Sequence, residues 1–149
     1  MQALPHHYTV SARAESTSNL ALSADNLPSL EVAPPTGFGG PGDVWSPEDL
    51  LMCSVASCTI LSFKAIARAS KLEWISLNCT SVGTLDTVDR RVQFTEIVTR
   101  ATLIIADEAN RTKAEKLLHK AEDVCLISNS LTSQSTIECT IIIADKAVE

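Results

Sequence analysis

A chain of 149 residues, 45% of them hydrophobic, has the length of one domain and enough apolar content to bury a core, which excludes a disordered chain. Its net charge of −6, with Lys and Arg scattered, excludes a phosphate-binding surface, so no nucleic-acid partner is expected. Aromatic residues make up only 4%, so the core has to be aliphatic. The first eight residues lack the basic residues and apolar run of a secretory leader. The most apolar uncharged stretch, residues 50–63, is short of the roughly 20 residues that cross a bilayer. These features predict a soluble, cytoplasmic protein with no membrane contact. In a reducing cytosol the five cysteines do not make a disulfide framework.

The first third reads as short strands. Residues 7–15 alternate, with Tyr8, Val10, Ala12 and Ala14 on one face. Residues 16–19 are turn-like, 20–24 resume the strand pattern as a hairpin, and a further short run spans 29–33. Residues 34–42 then hold three of the six prolines and four of the five glycines. Such a concentration marks an ordered loop whose backbone needs unusual angles or close approach, although a plain connector has the same composition. Ser46-Pro47-Glu48-Asp49 is a helix start: Ser46 caps, Pro47 suits the first helical position, and Asp49 completes the capping-box spacing. The helix is predicted to run to about Ser70, roughly 25 residues or 37 Å. Its middle is apolar on every side, from Leu50 and Leu51 through Val55 and Ile60 to Phe63 and Ile66. A helix apolar all round needs burial all round, and a chain this short can hardly enclose it alone, which points to a homodimer.

Two long β segments follow, residues 74–85 and 91–105, with the hairpin turn expected at Asp86-Thr87-Val88-Asp89. Residues 110–124 form an amphipathic helix with Ala114, Leu117, Leu118, Ala121 and Val124 on one face. Cys125 ends it, a Ser/Asn-rich segment comes next, and residues 135–144 close the chain as a strand. The order βββ-α-ββ-α-β is α+β, in a single domain over residues 1–149.

Cys79 and Cys139 fall within strand patterns and read as core residues, as does Cys53 on the apolar helix. Cys58, on the same helix, reads from spacing alone as a small buried hydrophobe or a reactive thiol. Cys125 stands at a helix end, where side chains are more often accessible. Cys53 and Cys58 lie about 140° apart round a helix, so they share no face for a metal. His6, His7 and His119 show no ligand spacing with any cysteine, and His119 reads as solvated. Phosphate-cradling glycines and a Cys-x-x-Cys are both absent, so no metal or cofactor is expected.

The order of the Gly/Pro loop, Ser46-Pro47-Glu48-Asp49-Leu50-Leu51, Ala56-Ser57-Cys58 and finally Cys125 with Ser128-Asn129 resembles the Ohr/OsmC peroxidases. The resemblance covers nearly the whole chain. It implies an intertwined homodimer with two long central helices back to back. It also implies thiol chemistry on organic hydroperoxides: Cys58 attacks the O–O bond and becomes a sulfenic acid, Cys125 condenses with it to a disulfide, and a dithiol of lipoyl type reduces that bond. Glu48 matches a family glutamate that holds an arginine beside the reactive thiol. In a straight helix Glu48 would lie about 15 Å from Cys58. The family's arginine positions fall near Phe38 or Ser16, and Arg13 is the nearest arginine. Leu126 replaces the proline expected after Cys125. These departures keep open a non-catalytic member that binds a small molecule or senses redox state, and a chain whose two cysteines are only core residues.

Overall fold

A computed structural model of the chain describes residues 2–144; residue 1 and residues 145–149 of the expected domain lie outside the described part. The architecture is α+β, with two three-stranded sheets and two α-helices. The chain divides into two compact units between Leu51 and Met52.

In the first unit β1 (Ser11–Arg13), β2 (Leu20–Ser23) and β3 (Leu30–Val32) make an antiparallel sheet in that order. Ala12 pairs with Leu22, and Ala21 with Glu31. β1 is much shorter than the alternation over 7–15 predicts, and Tyr8 and Val10 stand 89% and 65% exposed. Side-chain alternation signals a sheet face, but pairing stops where β2 offers no further partner. The Gly/Pro loop is ordered as expected: Val32 bridges to Trp45, and the Ala33 amide donates to the Trp45 carbonyl at 3.0 Å. Gly40 is the close approach, because a Cβ there would lie 1.6 Å from the Pro34 carbonyl oxygen.

The first long helix, α1 (Pro47–Ala69), begins on the predicted cap. The Asp49 amide donates to Ser46 Oγ at 3.1 Å, and the Asp49 carboxylate accepts from the Ser46 amide and hydroxyl at 3.0 and 2.8 Å. By length and composition α1 could cross a membrane, a test that the 14-residue reading of its apolar core falls short of and that the core helix of a soluble protein also passes. One chain is expected to leave part of α1 uncovered, and it does. Only the stripe Val55, Thr59, Phe63 and Ala67 is buried, and Leu61 is 65% exposed. A stripe repeating every four residues is what one sheet can cover, and the opposite apolar face is left exposed at Leu61 among the described residues.

The second unit is built on β4 (Ser76–Val88), β5 (Arg91–Ile105) and β6 (Gln134–Ile143). β4 and β5 form an antiparallel hairpin, and β6 lies parallel to β5. The hairpin turn is at Asp89 and Arg90, with φ of 49° and 65°, so β4 runs three residues past the predicted end. Two non-glycine residues in the left-handed region give no glycine signal in the sequence. The parallel return needs a crossover, which α2 (Arg111–Asp123) supplies. Arg111 fastens α2 to the sheet through Nη1 donating to the Ile141 carbonyl at 2.8 Å, and Lys113 Nζ donates to the Ser70 carbonyl at the end of α1 at 2.7 Å.

Alternate residues of β5, Ile97, Thr99, Ala101, Leu103 and Ile105, form the buried face of this sheet. With Phe63, Ala67, Leu72, Ala114, Leu118 and Ala121 they build the core; Phe63 meets Trp74 edge-to-face at 5.5 Å. Each large aliphatic or aromatic side chain buried there contributes about 1.5–3 kcal/mol. Ala114, Leu118 and Ala121 are buried as predicted, whereas Val124 is 49% exposed because α2 ends at Asp123.

Candidate functional site

Cys58 lies in the middle of α1, one residue before buried Thr59, so its side chain sits at the edge of the packed stripe and is half-buried. Cys125 follows the last turn of α2, where its amide closes onto the Glu122 carbonyl at 3.0 Å. The sequence expectation that a residue at such a junction is accessible is corrected: Cys125 is 0% exposed. The chain after α2 turns back at once through a short 3-10 segment, Ser128–Ser130, which directs Cys125 inward and leaves Val124 and Leu126 outside at 49% and 67% exposure.

The fold brings the Cys58 and Cys125 thiols, 67 residues apart in sequence, near enough for each to act on the ionisation of the other. The turn after Cys125 completes the surroundings. Ser128, only 6% exposed, donates its hydroxyl to Cys125 Sγ at 3.4 Å. The Ser128 amide favours the Cys125 anion, and the Ile127 amide favours ionisation of both sulfurs. Sequence reasoning used Ser128 only as part of a motif and missed it as a contact. Its signal was its place three residues after a cysteine in a turn-forming run.

These contacts divide the pair. Burial pushes the Cys58 thiol up, and its hydrogen bond to Cys125 adds to that, against the lowering by the Ile127 amide and Ser62. Burial also opposes ionisation of Cys125 more than any other single influence. The Ser128 hydroxyl and amide, Cys58 and the Ile127 amide together outweigh it and hold Cys125 below the ordinary thiol range. Of the two thiols, Cys125 is therefore the easier to ionise. Among the described residues, the groups acting on Cys58 include no cation.

Cys58 opens onto a cavity of about 540 Å³ lined by Ser54, Leu61, Ala65, Leu126 and Ile127 among others, a mostly apolar surface. Glu48 belongs to the first unit, in the first turn of α1, where its Oε2 is buried without a hydrogen-bond partner. Arg13 is in β1 with a side chain 86% exposed, 3.7 Å from Glu15, and Phe38 is 61% exposed. Cys53 is exposed on α1, not packed as predicted. Cys79 and Cys139 pack against the core as expected. His119 is exposed, and its Nε2 lies 3.9 Å from Cys139 Sγ. Among the described residues no group of three or more His, Cys, Asp or Glu side chains is arranged to hold a metal ion.

The family model for OsmC-like proteins matches residues 40–140, a span that includes Glu48, Cys58 and Cys125. The uncharacterized protein YmaD of Bacillus subtilis is 26% identical over 131 residues, covering 85% of this chain and 87% of that one. Among solved structures, an OsmC-like protein of unknown function from Vibrio cholerae superposes with a TM-score of 0.83 at 17% identity, over 91% of this chain and 100% of that one. An organic hydroperoxide resistance protein from Legionella pneumophila gives 0.72 at 24% identity, over 93% and 100%. One from Elizabethkingia anophelis gives 0.73 at 22%, over 95% and 100%. At these identities the superpositions establish a shared fold.

Proposed function

The chain belongs to the OsmC-like protein family, and on that footing we propose that it is a thiol-dependent peroxidase reducing organic hydroperoxides through Cys58 and Cys125. The observation that carries the reading is the meeting of two thiols, one fully buried and one opening on an apolar cavity. Solved relatives of the same fold are named as organic hydroperoxide resistance proteins, which supports the substrate class. The Cys58 thiolate attacks the O–O bond, taking one oxygen as a sulfenic acid while the alkoxide leaves and takes up a proton as the alcohol. The Cys125 sulfur then attacks the sulfenic sulfur, the S–O bond breaks, and water departs as the disulfide forms. A dithiol, of lipoyl type in the family resemblance, returns two electrons. The apolar lining of the cavity suits an alkyl tail.

Glu48 enters this reading as the residue that holds a cation toward the site, as the family glutamate does, and its unpartnered buried oxygen suits such a role. The open apolar face of α1 around Leu61 suits a homodimer, and sedimentation of the purified protein tests it. Thiol recycling of this kind belongs in a reducing compartment such as the cytoplasm. The experiment for the activity is mass spectrometry with peptide mapping after one equivalent of cumene hydroperoxide. A Cys58–Cys125 disulfide within seconds is the expected product, and slow oxidation without a specific product refutes the reading.

A second reading has its own observation: burial holds the Cys58 proton, and no cation acts on this thiol among the described residues. On that reading the protein keeps the fold to bind a small molecule or sense redox state. Cys58 alkylation with an ordinary or raised thiol pKa, together with no hydroperoxide-dependent oxidation, would favour it.

A further inference from the structure

We propose that the turn at residues 125–128 is a cradle for the Cys125 sulfur anion, with Ser128 as its positioning residue, so that a dithiol reductant attacks Cys58 and expels Cys125 as the leaving thiolate. The inference rests on the reading above for its disulfide but concerns a step that reading leaves open, namely which sulfur the reductant meets. Access decides the first half. Cys58 lines a cavity of about 540 Å³, whereas Cys125 is 0% exposed and does not line it, so a thiol entering that cavity meets Cys58.

Charge placement decides the second half. When the S–S bond breaks, its electron pair goes to the sulfur not attacked, and that sulfur needs hydrogen-bond donors already aimed at it. Cys125 has the Ser128 hydroxyl from its own turn at 3.4 Å, and the Ser128 and Ile127 amides favour its anion from the same turn. The amides are fixed by the backbone, since the Asn129 and Leu131 amides already bond to the Cys125 and Ser128 carbonyls at 2.9 and 3.1 Å. Ser128 is buried and its hydroxyl has the sulfur as its acceptor, so it is pre-set for this anion. Cys58 has the Ile127 amide and the Ser62 hydroxyl favouring its anion, and these do not outweigh its burial and Cys125.

The step balances. A thiolate of the reductant forms a bond to Cys58 Sγ, the Cys58–Cys125 bond breaks, and Cys125 leaves as the thiolate in its cradle. The second thiol of the reductant then attacks the mixed disulfide, releases Cys58 and leaves as a cyclic disulfide. The same cradle serves the forward direction, favouring the thiolate of Cys125 as it attacks the Cys58 sulfenic acid.

The test starts from a disulfide made with diamide, so it does not depend on hydroperoxide activity. The oxidised protein is treated with 2-mercaptoethanol, quenched in acid and mapped by mass spectrometry. The expected result is a mercaptoethanol adduct on Cys58. An adduct on Cys125, or no Cys58–Cys125 disulfide under diamide, overturns the proposal. Ser128→Ala is expected to slow reductive cleavage about tenfold by removing a hydrogen bond to a developing charge. Ser128→Thr keeps the hydroxyl and is expected to stay within about twofold of the parent. Equal slowing in both variants would mean that Ser128 only packs, and an unslowed Ser128→Ala would mean that the cradle does not act; either overturns the assignment. If the hydroperoxide experiment fails while these results hold, the cradle stands and the peroxidase reading alone is lost.

Discussion

The second unit holds two cysteine pairs, and they are made of the same residue in opposite surroundings. Cys58 and Cys125 come from α1 and from the end of α2, and each acts on the ionisation of the other. Cys79 and Cys139 come from β4 and β6 and both register against Ala101 of the strand between them. Two strand spacings separate their Cα atoms, about 9.6 Å, beyond the roughly 7 Å that a disulfide tolerates. Burial pushes both of these thiols up to about 11, with Cys139 acting on Cys79 and Glu115 on Cys139. In the other pair Cys125 is fully buried as well, yet the Ser128 hydroxyl and the Ser128 and Ile127 amides, with Cys58, hold it below the ordinary range. Burial alone makes a cysteine inert. Burial with donors aimed at the sulfur gives it somewhere to put a charge.

The widest separation between the pairs should appear in turnover. Cys58→Ser is expected to lower hydroperoxide reduction by more than about a hundredfold, since no other thiol occupies the cavity. Cys125→Ser should leave one round of Cys58 oxidation intact and stall recycling, visible as a sulfenic acid trapped by dimedone. Cys79→Ala and Cys139→Ala should each retain turnover within about threefold, because neither sulfur lines the cavity beside Cys58. A Cys79 variant as inactive as Cys58→Ser would collapse the distinction. A smaller effect is the pH dependence of the first oxidation. Cys58 holds its proton above the ordinary value of 9.0, so its thiolate fraction falls about tenfold for each pH unit below its pKa. Stopped-flow oxidation should therefore still be accelerating at pH 9, and a plateau below pH 7 would mean that a cation absent from the described surroundings has lowered Cys58.

The ease of reading these two pairs from sequence was unequal for physical reasons. Strand patterning located Cys79 and Cys139 as core residues because a period of two is a local property. It could not show that Ala101 stands between them, since register depends on a hairpin turn at Asp89 and Arg90 that carries no glycine. The Ser46 cap and the Gly40 approach were legible because capping and glycine punctuation act within a few residues. The Cys58–Cys125 contact was not, because 67 residues and a sheet intervene; it entered through resemblance to a family. Burial of Cys125 was misjudged because a helix end predicts exposure only when the chain leaves the surface, and here it turns back at Ser128. The apolar circumference of α1 stated a demand for cover without naming what supplies it.

The smallest expected effect sharpens the comparison from the other side, through stability at alkaline pH. A thiol whose folded pKa lies above its unfolded value binds its proton more tightly when folded. Its contribution is complete below the unfolded value of 9.0 and is lost as pH rises through the folded value of about 11. Cys79 and Cys139 should therefore steepen the fall of the thermal midpoint between pH 9 and pH 11. Replacing both by Val and Ala, Cys79→Val with Cys139→Ala, removes the titration while keeping the face apolar. Calorimetry at pH 8 and pH 10.5 should show a drop smaller by a few degrees, roughly the change that one kcal/mol makes in a chain of this size. Cys125 carries the opposite sign. Its pKa is depressed in the fold, so its contribution is present above 9.0 and is lost as pH falls through its folded value. Cys125→Ala should thus cost least at neutral pH and most above pH 9. Parallel alkaline losses in the two variants would mean that the donors around Cys125 do not discriminate it from a core thiol.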